Sequence, residues 1–121
     1  MSSYAVRYDQ AEGVVRVEIR GNFDAKLLSE STAALSLEIE ESGSNRILMD
    51  HREATPKLTV SEQYDRPGIA FKLGVPRSCR IAIVCRAMDE VYRFIETVGV
   101  NSGYTIKVFL KVDEALRWLR N

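Results

Sequence analysis

Asp50, His51 and Glu53 are side chains of the types that move protons, set within one short run. An imidazole titrates near neutral pH, and a carboxylate can orient it or relay its proton. On an extended chain, however, neighbours point to opposite faces, so Asp50 and His51 diverge. No motif places a Ser or Cys as a nucleophile. The favoured reading is a polar strand end with a solvent-facing His51, and no catalytic set is predicted.

A second grouping is cationic. In an open parallel sheet, ligands bind beyond the carboxyl ends of the strands. That edge collects Asn22, Asp24, Asp50, His51, Arg52, Glu53, Arg86 and Lys111. Arg52, Arg86 and Lys111 could together hold a phosphate or carboxylate, helped by helix N-termini. Solvated loop charges are the ordinary explanation of such residues and the favoured one. A third grouping lies on the segment from Thr59 to Leu73. Thr59 and Ser61 carry hydroxyls, and Tyr64, Phe71 and Leu73 could form an exposed apolar patch. Their helical spacing points more often to a core face.

Other chemistries find no support. The glycines form no GxGxxG or P-loop string, so nucleotide binding has no motif. Cys79 and Cys85 straddle one strand, roughly 20 Å apart if extended, too far to pair with each other. With His51 the single histidine and no zinc-type spacing, no metal or other cofactor is expected.

Composition agrees with a modest soluble domain. The chain has 121 residues, with Lys plus Arg 17 and Asp plus Glu 17, a formal net charge of zero. The 45% apolar content is enough to order a core. A balanced charge argues against nucleic acid as a partner. The opening MSSYAVRYDQ lacks the basic flank and apolar core of a signal peptide. The apolar run Ile81–Cys85 is far too short for a membrane span. One cytoplasmic domain over residues 1–121 is expected.

The elements that must position these residues follow from periodicity. Tyr4–Tyr8 and Val14–Arg20 read as a hairpin around Gln10–Gly13, with Gly21-Asn22 ending the second strand. Asp24 caps a helix to about Ser42, with Leu28, Thr32, Leu35 and Ile39 inward and Gly43 at its end. Arg46–Asp50 is apolar on both faces through Ile47-Leu48-Met49, as in a central parallel strand. His51–Lys57 reads as a polar stretch. Thr59-Val60-Ser61-Glu62 matches a capping box. The helix after it must kink at Pro67-Gly68 or restart near Asp65. Arg80–Cys85 is a second central strand, with Cys85 a small buried hydrophobe. Met88–Val98 is a helix with Val91, Phe94, Ile95 and Val98 inward. Tyr104–Leu110 is an edge strand with Ile106, Val108 and Leu110 on one face. Val112–Arg120 is a short helix with Ala115, Trp118 and Leu119 inward. The free edges at Tyr4–Tyr8 and Tyr104–Leu110 could pair with a second copy, giving a homodimer, although Arg7 and Lys107 discourage it. The fold class is α/β: a mixed, mostly parallel five-stranded sheet with about four helices in the order β-β-α-β-α-β-α-β-α.

At this length, that order resembles the SpoIIAA-like or STAS fold. The tail Val108-Phe109-Leu110-Lys111-Val112-Asp113-Glu114-Ala115-Leu116-Arg117-Trp118-Leu119 is similar to the closing motif of small bacterial SpoIIAA-like proteins, in which V-x-V-F leads to D/E-E-A-x-x-W-L. Arg80–Val84 fits the same pattern. The resemblance implies a non-catalytic regulatory or binding module with a protein partner. In the best-known relatives, anti-sigma factor antagonists, a Ser in an Asp-Ser-Ser-Gly-like turn is phosphorylated by a kinase. At the matching place this chain reads Ala54-Thr55-Pro56-Lys57-Leu58-Thr59-Val60-Ser61, without Asp-Ser and without the following Gly. The phospho-switch is therefore not carried over. The alternative is a carrier for an anionic or lipid-like small molecule at the strand ends. The residues marked for binding are Arg52, Glu53, Thr59, Ser61, Tyr64, Arg86 and Lys111.

Overall fold

The computed structural model describes residues 2–121. Its elements are β1 (Ser3–Asp9), β2 (Val14–Phe23), α1 (Ala25–Ser42), β3 (Arg46–Pro56), α2 (Val60–Lys72), β4 (Arg80–Val84), α3 (Glu90–Asn101), β5 (Thr105–Phe109) and α4 (Val112–Arg120). This is the expected α/β order. The strands lie side by side in the order β1-β2-β3-β4-β5. β1 runs antiparallel to β2, and the remaining pairs are parallel.

Three successive crossovers between adjacent parallel strands, all right-handed, put their helices on one face. α1, α2 and α3 accordingly pack on a cluster containing Val15, Val17, Ile47, Met49, Ile81 and Ile83. Only α4 covers the other face, where Ala115 and Leu119 meet Val14, Leu48, Ala82 and Val84. The side-chain alternation of β3 and β4 therefore feeds two cores, which is why both strands are apolar on both sides.

Local signals explain most boundaries. Asp24 accepts from the Leu27 amide at 2.9 Å, and α1 ends at Gly43, whose φ of +74° suits a left-handed cap. Thr59 Oγ1 accepts from the Glu62 amide at 3.1 Å while Glu62 Oε1 accepts from the Thr59 amide at 2.8 Å. That is the reciprocal capping box expected from the sequence.

Several expectations are corrected. Gly21-Asn22 does not end β2, and His51–Lys57 is not a loose polar stretch. β2 runs on to Phe23 and β3 to Pro56, paired Arg20 with Glu53 through Phe23 with Pro56. Between Glu18 and Arg20 the register slips, because β3 carries one extra residue there. This is a β-bulge. Gly21, at φ +78°, supplies the backbone bend beside it. α2 is one continuous helix through Pro67, with no second segment from Asp65. Pro67 removes one internal amide donor, but the capping box and burial of the helix's inner stripe hold the remaining turns. α3 starts at Glu90 and reaches Asn101, with Tyr92 buried and Phe94 only half-buried. Leu110 is exposed rather than aligned with Val108, since β5 stops at Phe109 and the alternation lapses in the turn.

Because α4 alone shields one face, its anchor is decisive. Leu119 is fully buried. Leu119→Ala is expected to cost about 2–5 kcal/mol in urea denaturation. A loss below about 1 kcal/mol would mean that α4 unfolds apart from the sheet.

Candidate functional site

The bulge in β3 decides where its polar residues go. Ile47, Met49 and His51 alternate onto the three-helix face, and the extra residue then shifts the phase so that Ala54, not Glu53, returns to the core. Asp50 and Arg52 fall on the opposite side. Arg52 Nη2 lies 2.7 Å from Asp50 Oδ2, and Arg52 Nε lies 2.9 Å from Asp50 Oδ1. Burial pushes the Asp50 carboxyl upward, but the hydrogen bonds from Arg52 outweigh it and leave the group below its ordinary range. The divergence of Asp50 from His51 is thus the geometry that alternation requires.

His51 itself is not solvent-facing. It is 2% exposed, held edge-on against Phe23 at 5.1 Å and Tyr92 at 5.9 Å between ring centroids. Its Nε2 has no hydrogen-bond partner. Burial, reinforced by the positive charge of Arg66, lowers its pKa to about 3. The ring is neutral at physiological pH and cannot serve as a surface base. The sequence reading erred because it ended the strand at Asp50, which removed the alternation that carries His51 inward.

The strand ends do not assemble an anion site. Arg52 is committed to Asp50, and the concavity there is lined by Glu18, Ile19, Arg20, Asp50, Arg52 and Glu53. Three carboxylates against two guanidiniums disfavour an anion. Arg86 and Lys111 lie two residues beyond the paired Val84 and Phe109 and are both exposed. Thr59 is occupied as a cap, and Ser61 and Tyr64 are exposed on the first turns of α2. Cys79 and Cys85 are free and buried, and burial pushes both thiols upward. Among the described residues no group of three or more His, Cys, Asp or Glu could hold a metal ion. Among them, too, no helix is long and apolar enough to cross a membrane.

α2 carries the larger surprise. Its inward stripe is Gln63, Arg66, Pro67 and Ala70, spaced i, i+3, i+4 and i+7, with Ile69 partly buried beside it, so two polar side chains stand among apolar ones. Val60, Tyr64 and Phe71 share a second stripe, and the first two are 72% and 69% exposed. The core reading of Tyr64, Phe71 and Leu73 is therefore overturned: all are exposed. Phe71 is stacked under the Arg77 guanidinium, 3.9 Å from its ring centroid. Beneath the helix lies a cavity of about 50 Å³, walled by residues of α1, α2, α3 and three strands. Sequence reasoning missed Arg66, although the Gln63–Arg66–Ala70 spacing becomes legible once the helix is continuous through Pro67.

No family model and no curated protein matches the chain. Solved structures do. An anti-sigma factor antagonist from Mycobacterium paratuberculosis superposes with a TM-score of 0.67 at 16% identity, over 100% of this chain and 96% of that one. An uncharacterised protein with a SpoIIAA-like fold from Shewanella loihica gives 0.64 at 18% identity, over 98% and 93%. The Bacillus cell-fate determinant SpoIIAA, in its phosphorylated form, gives 0.63 at 11% identity, over 98% and 100%. The chain has the SpoIIAA-like fold, as the tail motif and element order implied.

The buried imidazole gives a pH signature. His51 is neutral when folded and takes up a proton once unfolded below its ordinary value of 6.5. The unfolded state then binds more protons, so stability falls as pH drops. The expected slope between about pH 6 and 4.5 is on the order of 1.4 kcal/mol per unit. Asp9 and Asp50, both shifted down, add their loss only near and below 3.8. Urea melts across this range should show the slope in the wild type and lose most of it in His51→Phe. An equal slope in both would place its origin elsewhere.

Proposed function

We propose that this chain is a non-catalytic regulatory module, one domain over residues 1–121, that docks on a protein partner in the cytoplasm through the outer stripe of α2. The observation that carries this is the exposure of Val60 and Tyr64 on one face of α2 while Gln63 and Arg66 are buried on the other. Leaving large apolar groups in water on one helix face gains nothing for the fold, but it supplies the aromatic anchor that helix-mediated interfaces use. Thr59 and Ser61 border the stripe at its N-terminal end. The fold neighbours named as anti-sigma factor antagonists support the same reading, and they suggest an anti-sigma factor as the kind of partner. Fold alone does not carry function, so the weight rests on the helix face.

Docking in this module runs without the phosphorylated turn of those neighbours. The segment Ala54–Ser61 is spent on the end of β3 and on the capping box. A phosphate on Thr59 would displace the hydroxyl from the Glu62 amide and crowd the Glu62 carboxylate.

Isothermal titration against the anti-sigma factors of the host tests the proposal. Val60→Ser with Tyr64→Ser should weaken the complex at least about tenfold while leaving the thermal midpoint within a few degrees. Thr59→Ala should cost about 1 kcal/mol of stability and leave the affinity within about twofold. Undiminished affinity in the double variant would move the docking surface off α2. Loss of binding in Thr59→Ala, restored by Thr59→Ser, would reinstate a hydroxyl switch.

A further inference from the structure

Arg66 is a buried cation without a counter-ion. It is 9% exposed, and its Nη1 has no hydrogen-bond partner. Its Nη2 reaches only the Met49 sulfur, at 4.0 Å. Its guanidinium lies 5.1 Å from the Phe23 ring centroid. Each ion pair among the described residues joins other groups, and none reaches Arg66. The titratable groups that feel its charge are His51 on β3, neutral there, and Tyr92 on α3, whose hydroxyl burial pushes up to about 12. Among the described residues no carboxylate pairs with the charge. An isolated buried charge of this kind is among the costlier features a core can carry.

Arg66 is also one of the residues that line the cavity beneath α2, and Met49, which its Nη2 approaches, is another. The other walls are mostly aliphatic, with Leu35, Ile81, Ile83, Ile95 and Ile106 among them. The Tyr104 hydroxyl, also at the wall, is spent on the Val75 carbonyl at 2.6 Å. The lining is thus mostly aliphatic, with Thr32, Gln63 and Arg66 as its other polar residues, Gln63 donating to the Leu58 carbonyl and Arg66 the one cation among them.

We propose that this cavity binds a short aliphatic monocarboxylate, its carboxylate paired with the Arg66 fork and its alkyl part among the isoleucines. A planar carboxylate matches the guanidinium by two parallel hydrogen bonds. A phosphate dianion would bring a second charge that the aliphatic walls cannot meet. The volume of about 50 Å³ holds on the order of five non-hydrogen atoms, the size of a two- to four-carbon acid. Burial lowers the Arg66 pKa only to about 10, so the cation is present at neutral pH. This site is separate from the outer stripe of α2 and stands whether or not a protein docks there.

The test uses the full chain with labelled isoleucine δ1 methyls, titrated with sodium propionate at constant ionic strength. Propionamide serves as the neutral isostere. Saturable shifts are expected at Ile81, Ile83, Ile95 and Ile106, with Ile19, which does not line the cavity, unmoved. Propionamide should bind at least about tenfold more weakly, the margin a charge-assisted pair gives over a neutral one. Octanoate should bind more weakly than butyrate. Arg66→Met should fold, with a thermal midpoint equal to or above that of the wild type, and should lose the propionate response. Equal affinity for propionate and propionamide would overturn the assignment, as would a full response in Arg66→Met or no shift at any concentration. Tighter binding of octanoate would overturn the limit to short chains. If Arg66→Met fails to fold, the acid-to-amide comparison in the wild type decides alone.

Discussion

The parallel order β2-β3-β4-β5, with each strand beside the next, constrains everything else in the molecule. Right-handed connection then commits α1, α2 and α3 to one face and leaves α4 to shield the other. Two cores of unequal size result. The smaller is closed by a nine-residue helix with a fully buried Ala115 and Leu119 at its centre. The larger must be roofed by three helices, and the middle one, α2, has the least apolar inner stripe to offer. Its roof therefore fits imperfectly, and a cavity remains where Gln63 and Arg66 face aliphatic strand residues.

Much of this architecture was legible in the chain. Val15, Val17 and Ile19 announced a one-sided strand, while Ile47-Leu48-Met49 and Ile81–Val84 announced strands covered on both sides. Asp24, Gly43 and the Thr59–Glu62 pair marked helix ends through local hydrogen bonding that needs no tertiary context. What was illegible depended on a partner strand. Residues 53–56 have no strand-like pattern of their own; they extend because residues 20–23 of β2 run alongside them. The bulge between them inserts one residue and resets the alternation, an event invisible to a period-two reading.

That single event separates the candidate site in the sequence from the one in the structure. Ending β3 at Asp50 made His51, Arg52 and Glu53 a solvated cluster at the sheet edge. With the strand continued, His51 turns into the core against Phe23 and Tyr92, and Arg52 folds back on Asp50. The cluster dissolves into one buried neutral ring and one surface ion pair. Pro67 misled in the opposite sense. Treating it as a break hid the inner stripe that includes Arg66, and with that stripe unseen the helical spacing of Tyr64 and Phe71 pointed to the core. A helix tolerates an interior proline where tertiary contacts hold both sides, and Pro67 is itself buried on the inner side of α2.

α2 buries two polar side chains, Gln63 and Arg66, while Val60 and Tyr64 stand exposed, and the arrangement has two separable consequences. Outward, Val60 and Tyr64 stand in water, where a partner surface can cover them. Inward, a guanidinium occupies a position that a leucine would fill at less cost. Stability alone explains neither choice. Replacing a buried unpaired cation by an apolar residue of similar volume is commonly neutral or stabilising. A fold that keeps the cation carries a penalty that an occupant of the cavity would relieve. The phenylalanine face of Phe23 offsets part of it through cation–π attraction. A carboxylate in the cavity would remove far more and would fill the void at the same time. On the two proposals together, the helix whose outer stripe would meet a protein is the helix whose inner stripe would meet a small acid.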